Sequence, residues 1–220
     1  MMHTFLGQAA RHIFGHHARA HPSDRAVLDR ICVVLPTRRS VFFFKQALAT
    51  QSDEPFLAPD VVAIDDFIQQ TCELEPIDPV SLLFEAYDIF KAVDPRVEFD
   101  RFTGWATTML ADFDRIDQYL LDAKAVLGYV SEAKALERWS PGGHPATAPS
   151  SPATERYFLL FDHLYRVYSA LRDRLTQTNR AYRGLAYRVL ADHVEPLLLT
   201  NPKYDHFYFV GWNALSASEE

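Results

Sequence analysis

Glycine and cysteine are the scarce residues of this 220-residue chain, at eight and two. Cys32 and Cys72 are too few for a disulfide framework and stand at no metal-ligand spacing, which fits a reducing compartment. With so few glycines no phosphate-cradling loop is evident, and G-x-x-x-x-G-K-[ST] occurs nowhere. The nearest run, Leu6-Gly7-Gln8-Ala9-Ala10-Arg11, lacks lysine and hydroxyl and follows no strand pattern. Long apolar runs are missing too. Ile31 to Leu35 and Tyr157 to Phe161 fall far short of a membrane span, and Met1 to His17 has no signal-peptide core. The expectation is a cytoplasmic protein without membrane contact. Positive charge is in deficit, with 22 Lys and Arg against 29 Asp and Glu, a net −7. Such a chain is no blanket nucleic-acid coat, so phosphate binding would need a local basic patch.

What is present is globular composition, 48% hydrophobic, with the charge unevenly spread. Gln51 to Asp100 holds thirteen acids against Lys91 and Arg96. Glu155 to Leu190 holds seven arginines against Glu155, Asp162 and Asp173. A solvated helix face is the plain reading of each, and an arginine surface on phosphate is the rival for the second.

The periodicity opens with a short helix from Thr4 to His16. Arg30 to Leu35 is a compact β-branched run ended by Pro36, which suits a buried strand. Thr37 caps a helix from Ser40 to Thr50, with Val41, Phe44 and Leu48 on one face. A second unit follows, with Val61 to Ile64 as strand, Asp65 as cap and Phe67 to Cys72 as helix. About 130 residues without a strand pattern come next. Helices are expected over Pro79 to Val93, with Leu83, Tyr87 and Phe90 inward, and over Arg101 to Leu121, with Phe102, Trp105, Met109, Phe113, Ile116 and Leu120 as the stripe. Trp139 to Thr154, with four prolines and two glycines, reads as a surface link. Tyr157 to Leu175 is the clearest helix, and Ala186 to Leu199 another, interrupted near Pro196. A strand, His206 to Val210, precedes the turn Gly211-Trp212-Asn213. Ser216 to Glu219 then spells a capping box.

The fold class expected is therefore α/β: a small parallel sheet with flanking helices and a large all-helical insertion. Residues 1–78 and 200–220 would form the core and 79–199 the insertion, with its Pro/Ser-rich loop at 139–154. Three strands make a thin sheet, which points to a fragment of a longer protein.

Pro36-Thr37-Arg38-Arg39 is the most informative turn. It lies at the carboxyl end of a strand and at a helix N-terminus, where N–H groups favour an anion and two arginines add donors. Contact with a phosphate backbone and a structural cap with arginines paired to acids are equally open. The pairs His12/His16 and His17/His21 read as a solvated face rather than a metal site. Asp112, Asp114 and Asp117 fan out as a solvated surface. The aromatic stripes read as core rather than stacking platforms.

The runs RICVVLPTRRSVFFFKQAL, PFLAPDVVAIDDFI, FTGWATTMLADFDRIDQYLLDA and YDHFYFVGWNALSASEE resemble the N-terminal part of AddB-like PD-(D/E)XK nuclease family proteins. In that family a UvrD-like superfamily-1 helicase fold, of P-loop NTPase type, precedes a nuclease domain. The resemblance implies that Leu35 to Arg39 is a motif touching single-stranded DNA, with Thr37, Arg38 and Arg39 as nucleic-acid-binding residues. It makes Ile64-Asp65-Asp66-Phe67 the next DNA-facing motif, although its acids do not suit a phosphate grip. It makes Val210 and Gly211 a degenerate ATPase motif, since Val210 stands where an acidic residue would hold magnesium. The implied function is an ATPase-inactive, helicase-like module of a DNA-repair helicase–nuclease, itself non-catalytic. It would guide single-stranded DNA or a duplex end toward an exonuclease domain beyond Glu220. No cofactor is implied in this segment. Magnesium belongs to the downstream nuclease. A helicase partner subunit is implied, and the rival function is a scaffold docking that subunit without touching DNA. A small-molecule enzyme using the sheet crevice comes last, because no convergent catalytic set supports it.

Overall fold

The computed structural model describes residues 4–18, 25–127, 152–200, 203–213 and 215–220. Its elements are α1 (Phe5–Ala18), a 3₁₀ turn (Arg25–Arg30), β1 (Ile31–Leu35), α2 (Arg38–Ala49), β2 (Asp60–Ala63), α3 (Ile64–Cys72), β3 (Glu75–Pro76), α4 (Pro79–Val93), α5 (Phe99–Gln118), α6 (Pro152–Gln177), β4 (Arg180–Ala181), α7 (Arg183–Thr200) and β5 (His206–Phe209). The protein is α/β, mostly helical, with a small parallel sheet. It divides into two compact units, one from Met1–Glu73 with Val189–Leu215, the other from Leu74–Arg188 with Ser216–Glu219.

The first unit is built on the sheet β2-β1-β5, all parallel, with Val33 opposite both Val61 and Tyr208. Parallel neighbours need a crossover, and α2 supplies the one from β1 to β2. A central strand covered on both faces must be apolar throughout, and all five residues of β1 are buried. Ile31, Val33 and Leu35 meet Ala10 and Ile13 of α1 and Phe44 and Leu48 of α2. On the other face Phe67 of α3 packs edge-on against Phe207 and Phe209, at 6.0 and 6.1 Å. Each fully buried side chain of this kind contributes about 2 kcal/mol. α3 begins at Ile64 with no side-chain cap, so Asp65 and Asp66 lie inside its first turn and Asp65 is not the cap expected.

The second unit holds α4, α5, α6 and the start of α7. Asp78 Oδ1 caps α4, accepting from Val80 N and Ser81 N at 3.0 Å, with Pro79 at the first helical position. The inward face of α4 is Ala86, Ile89 and Phe90, rotated about a fifth of a turn from the face expected, with Leu83 and Tyr87 half-buried. α5 buries Phe102, Ala106, Met109, Phe113, Ile116 and Asp117. It stops at Gln118, where Leu120 turns left-handed (φ 51°) and Leu121 N donates back to Ile116 O at 2.9 Å. The stretch expected to lack strands contains one short parallel pair, β3 with β4, fixed by Glu75 opposite Arg180. Two-residue strands carry no periodicity, so the pattern missed them. The Pro/Ser-rich link expected at 139–154 lies outside the described residues up to 151, and residues 152–154 belong to α6. Ser216 and Glu219 do make a capping contact, Ser216 N to Glu219 Oε2 at 2.8 Å, within a turn rather than a helix. Near Pro196, α7 departs from helical geometry at His193 (φ −132°).

Candidate nucleic-acid interface

β1 ends at Leu35, and Pro36 cannot continue a ladder. Thr37 is therefore extended, and its hydroxyl accepts from Ser40 N at 3.1 Å. Ser40 Oγ in turn accepts from Thr37 N at 3.2 Å, which closes a reciprocal capping box. The box aims the positive end of α2 at the carboxyl edge of the sheet. On the neighbouring strand Val210 is buried in the core, its N–H donating to Val34 O at 3.0 Å. Gly211 follows with φ +87°, a conformation other residues adopt only under strain. Between these two turns lies a cleft of about 730 Å³, lined by Leu35, Thr37 and Ser40 on one side and Phe209, Gly211 and Asn213 on the other. This is where open α/β sheets bind ligands, outside the carboxyl ends of adjacent strands.

The two arginines part company. Arg38 forks onto Asp66, with Nη2 to Oδ1 at 2.6 Å and Nε to Oδ2 at 3.2 Å. The carboxylate holds the guanidinium in its charged form, raising its pKa above the ordinary arginine value. Arg39 has no carboxylate partner among the described residues. Its guanidinium lies 5.8 Å from the centre of the Phe43 ring. Thr37 and Gly211 therefore share the cleft, Val210 sits behind it, and Arg38 and Arg39 stand outside its lining.

The aromatic residues around this turn escaped the sequence reading. Phe42 is 64% exposed and Phe43 45%, while Phe44 is fully buried. Three consecutive phenylalanines on a helix step by 100°, so they cannot all face the core. That was the available signal.

Of the histidines of α1, His12 and His16 are exposed, as a solvated face requires, and only His17 departs from that expectation. His12 and His16 stack at 6.3 Å, and His17 is buried, sharing a 2.8 Å hydrogen bond with the Tyr208 hydroxyl. Burial, then the neighbouring His206 and His16, push the His17 pKa down. His21 lies outside the described residues. Among the described residues no group of three His, Cys, Asp or Glu side chains is arranged to hold a metal ion.

In the helical unit the three aspartates are not a solvated surface. Only Asp112 is exposed, beside Arg115 at 3.7 Å. Asp114 Oδ1 accepts from Gly184 N at 2.6 Å, where a Cβ on Gly184 would stand 2.1 Å from the Asp114 carbonyl oxygen. Asp117 is fully buried and accepts from the Tyr168 hydroxyl at 2.5 Å and from the Tyr182 hydroxyl. Arg188 Nε faces it at 2.7 Å as an ion pair rather than an aligned hydrogen bond, while Arg188 Nη2 donates to Ile116 O and Leu121 O. Burial first, then the carboxylate, pushes the Tyr168 phenol up to about 12. A helix periodicity cannot reveal this, because Asp117 occupies an inward position that only a partner from α7 makes affordable. Four more arginines of this unit are likewise engaged. Arg174 and Arg180 reach Glu85 at 3.2 and 2.7 Å, and Arg172 and Arg183 lie over Tyr168 and Tyr187.

No protein-family model matches the chain, and no curated protein matches it. Among the described residues no helix is long and apolar enough to cross a membrane.

Proposed function

We propose that the chain is a helicase-like module, of the kind found in AddB-like helicase–nucleases, that guides a DNA strand without hydrolysing ATP. The observation that carries this reading is the cleft at the carboxyl ends of β1 and β5. Its floor is the Thr37 capping box at a helix N-terminus, and its far wall is Gly211. The box takes Thr37 N and Ser40 N for itself, so it is the positive end of α2, with the N–H groups between them, that suits phosphate oxygens. Val210, apolar and buried, supplies no carboxylate for a magnesium–nucleotide complex. Magnesium chemistry in this reading belongs to a PD-(D/E)XK nuclease domain and not to these residues. The test is fluorescence anisotropy of a labelled single-stranded oligonucleotide over a salt series, with ATP turnover measured in parallel. The reading expects binding that weakens steeply with salt and no DNA-stimulated ATPase. Absence of binding at low salt, or turnover of ATP, overturns it.

A second reading, a module that docks a partner subunit, draws on the Arg38–Asp66 fork, which already engages one of the two arginines. It expects no binding to the oligonucleotide at any salt concentration.

A further inference from the structure

Helix α2 turns an apolar stripe to the outside. Arg39, Phe42, Phe43 and Gln46 recur at i, i+3, i+4 and i+7 and are all exposed, on the side opposite Phe44 and Leu48. The outer face of a helix covering a sheet is ordinarily polar, so two adjacent exposed phenylalanines there offer a contact surface. Charge selects among occupants. α1 and α2 pack against one another through Ala10, Ile13, Phe44 and Leu48 and contain no aspartate or glutamate. They carry Arg11, Arg38, Arg39 and Lys45, of which Arg38 is forked onto Asp66 and Lys45 lies on the side of Asp60, so that Arg39 is the cation beside the two rings. The two rings meet edge to face, with centroids 5.6 Å apart and planes at 76°, and Arg39 lies against Phe43. Exposed rings beside an arginine with no carboxylate partner among the described residues, on a helix without acidic side chains, match a surface on which bases stack while phosphates pass a cation.

We infer that the outer face of α2 is a stacking platform for single-stranded nucleic acid, with Phe42 and Phe43 receiving bases and Arg39 the adjacent phosphate. This rests on the DNA-binding reading and extends it to residues outside the cleft. Four residues of helix rise about 6 Å, so Arg39 and Phe43 are spaced to meet one nucleotide and its neighbour. Stacking and phosphate contact leave different signatures. Stacking contributes affinity with little salt dependence, whereas each neutralised phosphate adds to the salt slope.

The test uses the full chain and labelled oligo(dT), alongside an abasic oligonucleotide of the same length. The F42L/F43L variant, which keeps apolar bulk, should bind oligo(dT) roughly ten- to hundredfold more weakly with an unchanged salt slope. It should bind the abasic strand as the parent does. R39E should reduce the salt slope by about one. If the parent binds oligo(dT) and F42L/F43L binds it equally well, the platform is refuted while the cleft reading stands. If the parent binds no oligonucleotide, both fall. Should the double variant unfold, the parent alone decides, since a platform requires it to prefer oligo(dT) over the abasic strand and equal affinity refutes it.

Discussion

In the helical unit Arg174 and Arg180 converge on Glu85, Arg188 holds Asp117, and Arg172 and Arg183 lie over tyrosine rings. On α2, Arg38 is forked onto Asp66, but Arg39 faces outward beside two exposed phenylalanines. The first region is richer in arginine and looked the better phosphate surface by count. Arg172, Arg174, Arg180, Arg183 and Arg188 are instead engaged by internal carboxylates and tyrosine rings. Net charge over a segment therefore locates arginines without saying which way they point. What separates the two regions is the presence of inward carboxylates in one and their absence along α2 in the other.

The sharpest way to break this contrast is at Asp117. Asp117→Ala leaves Arg188 and two phenols without their acceptor and should destabilise the protein by about 3–5 kcal/mol, lowering Tm by about 10–15 °C. Asp117→Leu combined with Arg188→Met removes both charges and should recover much of that loss, as thermal melts of the three proteins would show. A single variant as stable as the parent would mean that the network is not holding the unit.

The close approach of α5 and α7 comes next. Gly184→Ala puts a methyl group into the Asp114 backbone and should cost about 3 kcal/mol, or about 6–12 °C in Tm. At Gly104, where a Cβ meets nothing within 4 Å, the same change should be neutral or slightly stabilising. Equal effects at the two sites would contradict the packing described.

The smallest effect probes the sheet unit through His17. Its pKa is lowered in the fold, so the folded state prefers the neutral ring. Its share of stability is complete above the unfolded value of 6.5 and is lost as pH falls below that toward the folded value. His16, His206 and the Tyr208 hydroxyl are the groups that face it. Tm should drop between pH 7.5 and 5.5, and His17→Asn should flatten that drop. A variant with the parent's pH dependence would place the titration elsewhere.

Much of the sheet unit was readable from sequence because its signals are local. The apolar run at Ile31–Leu35, the stop at Pro36 and the cap at Thr37 each act within a few residues of themselves, and all three recur in the structure. So does the third strand at His206–Phe209. The Asp117 network, the Gly184 contact and the β3–β4 pair depend on partners about 50 to 105 residues away, so no window of sequence contains them. The exposure of Phe42 and Phe43 is an intermediate case. With Val41, Phe44 and Leu48 inward, the 100° step of a helix turns Phe42 away from the core, so its exposure is written in the sequence while its role as a surface is not. The cleft needed the pairing of β1 with β5, which lie about 175 residues apart.

On the reading proposed above, the surface of α2, and not the arginine-rich helical unit, meets nucleic acid. The most direct measurement compares the salt dependence of oligo(dT) binding for the parent, Arg39→Glu, and Arg96→Glu. Arg96 is a control in the helical unit whose exposed guanidinium pairs with Asp94. The account predicts that Arg39→Glu weakens binding and lowers the salt slope by about one, while Arg96→Glu changes neither. Equal losses from the two substitutions, or a loss at Arg96 alone, would contradict it.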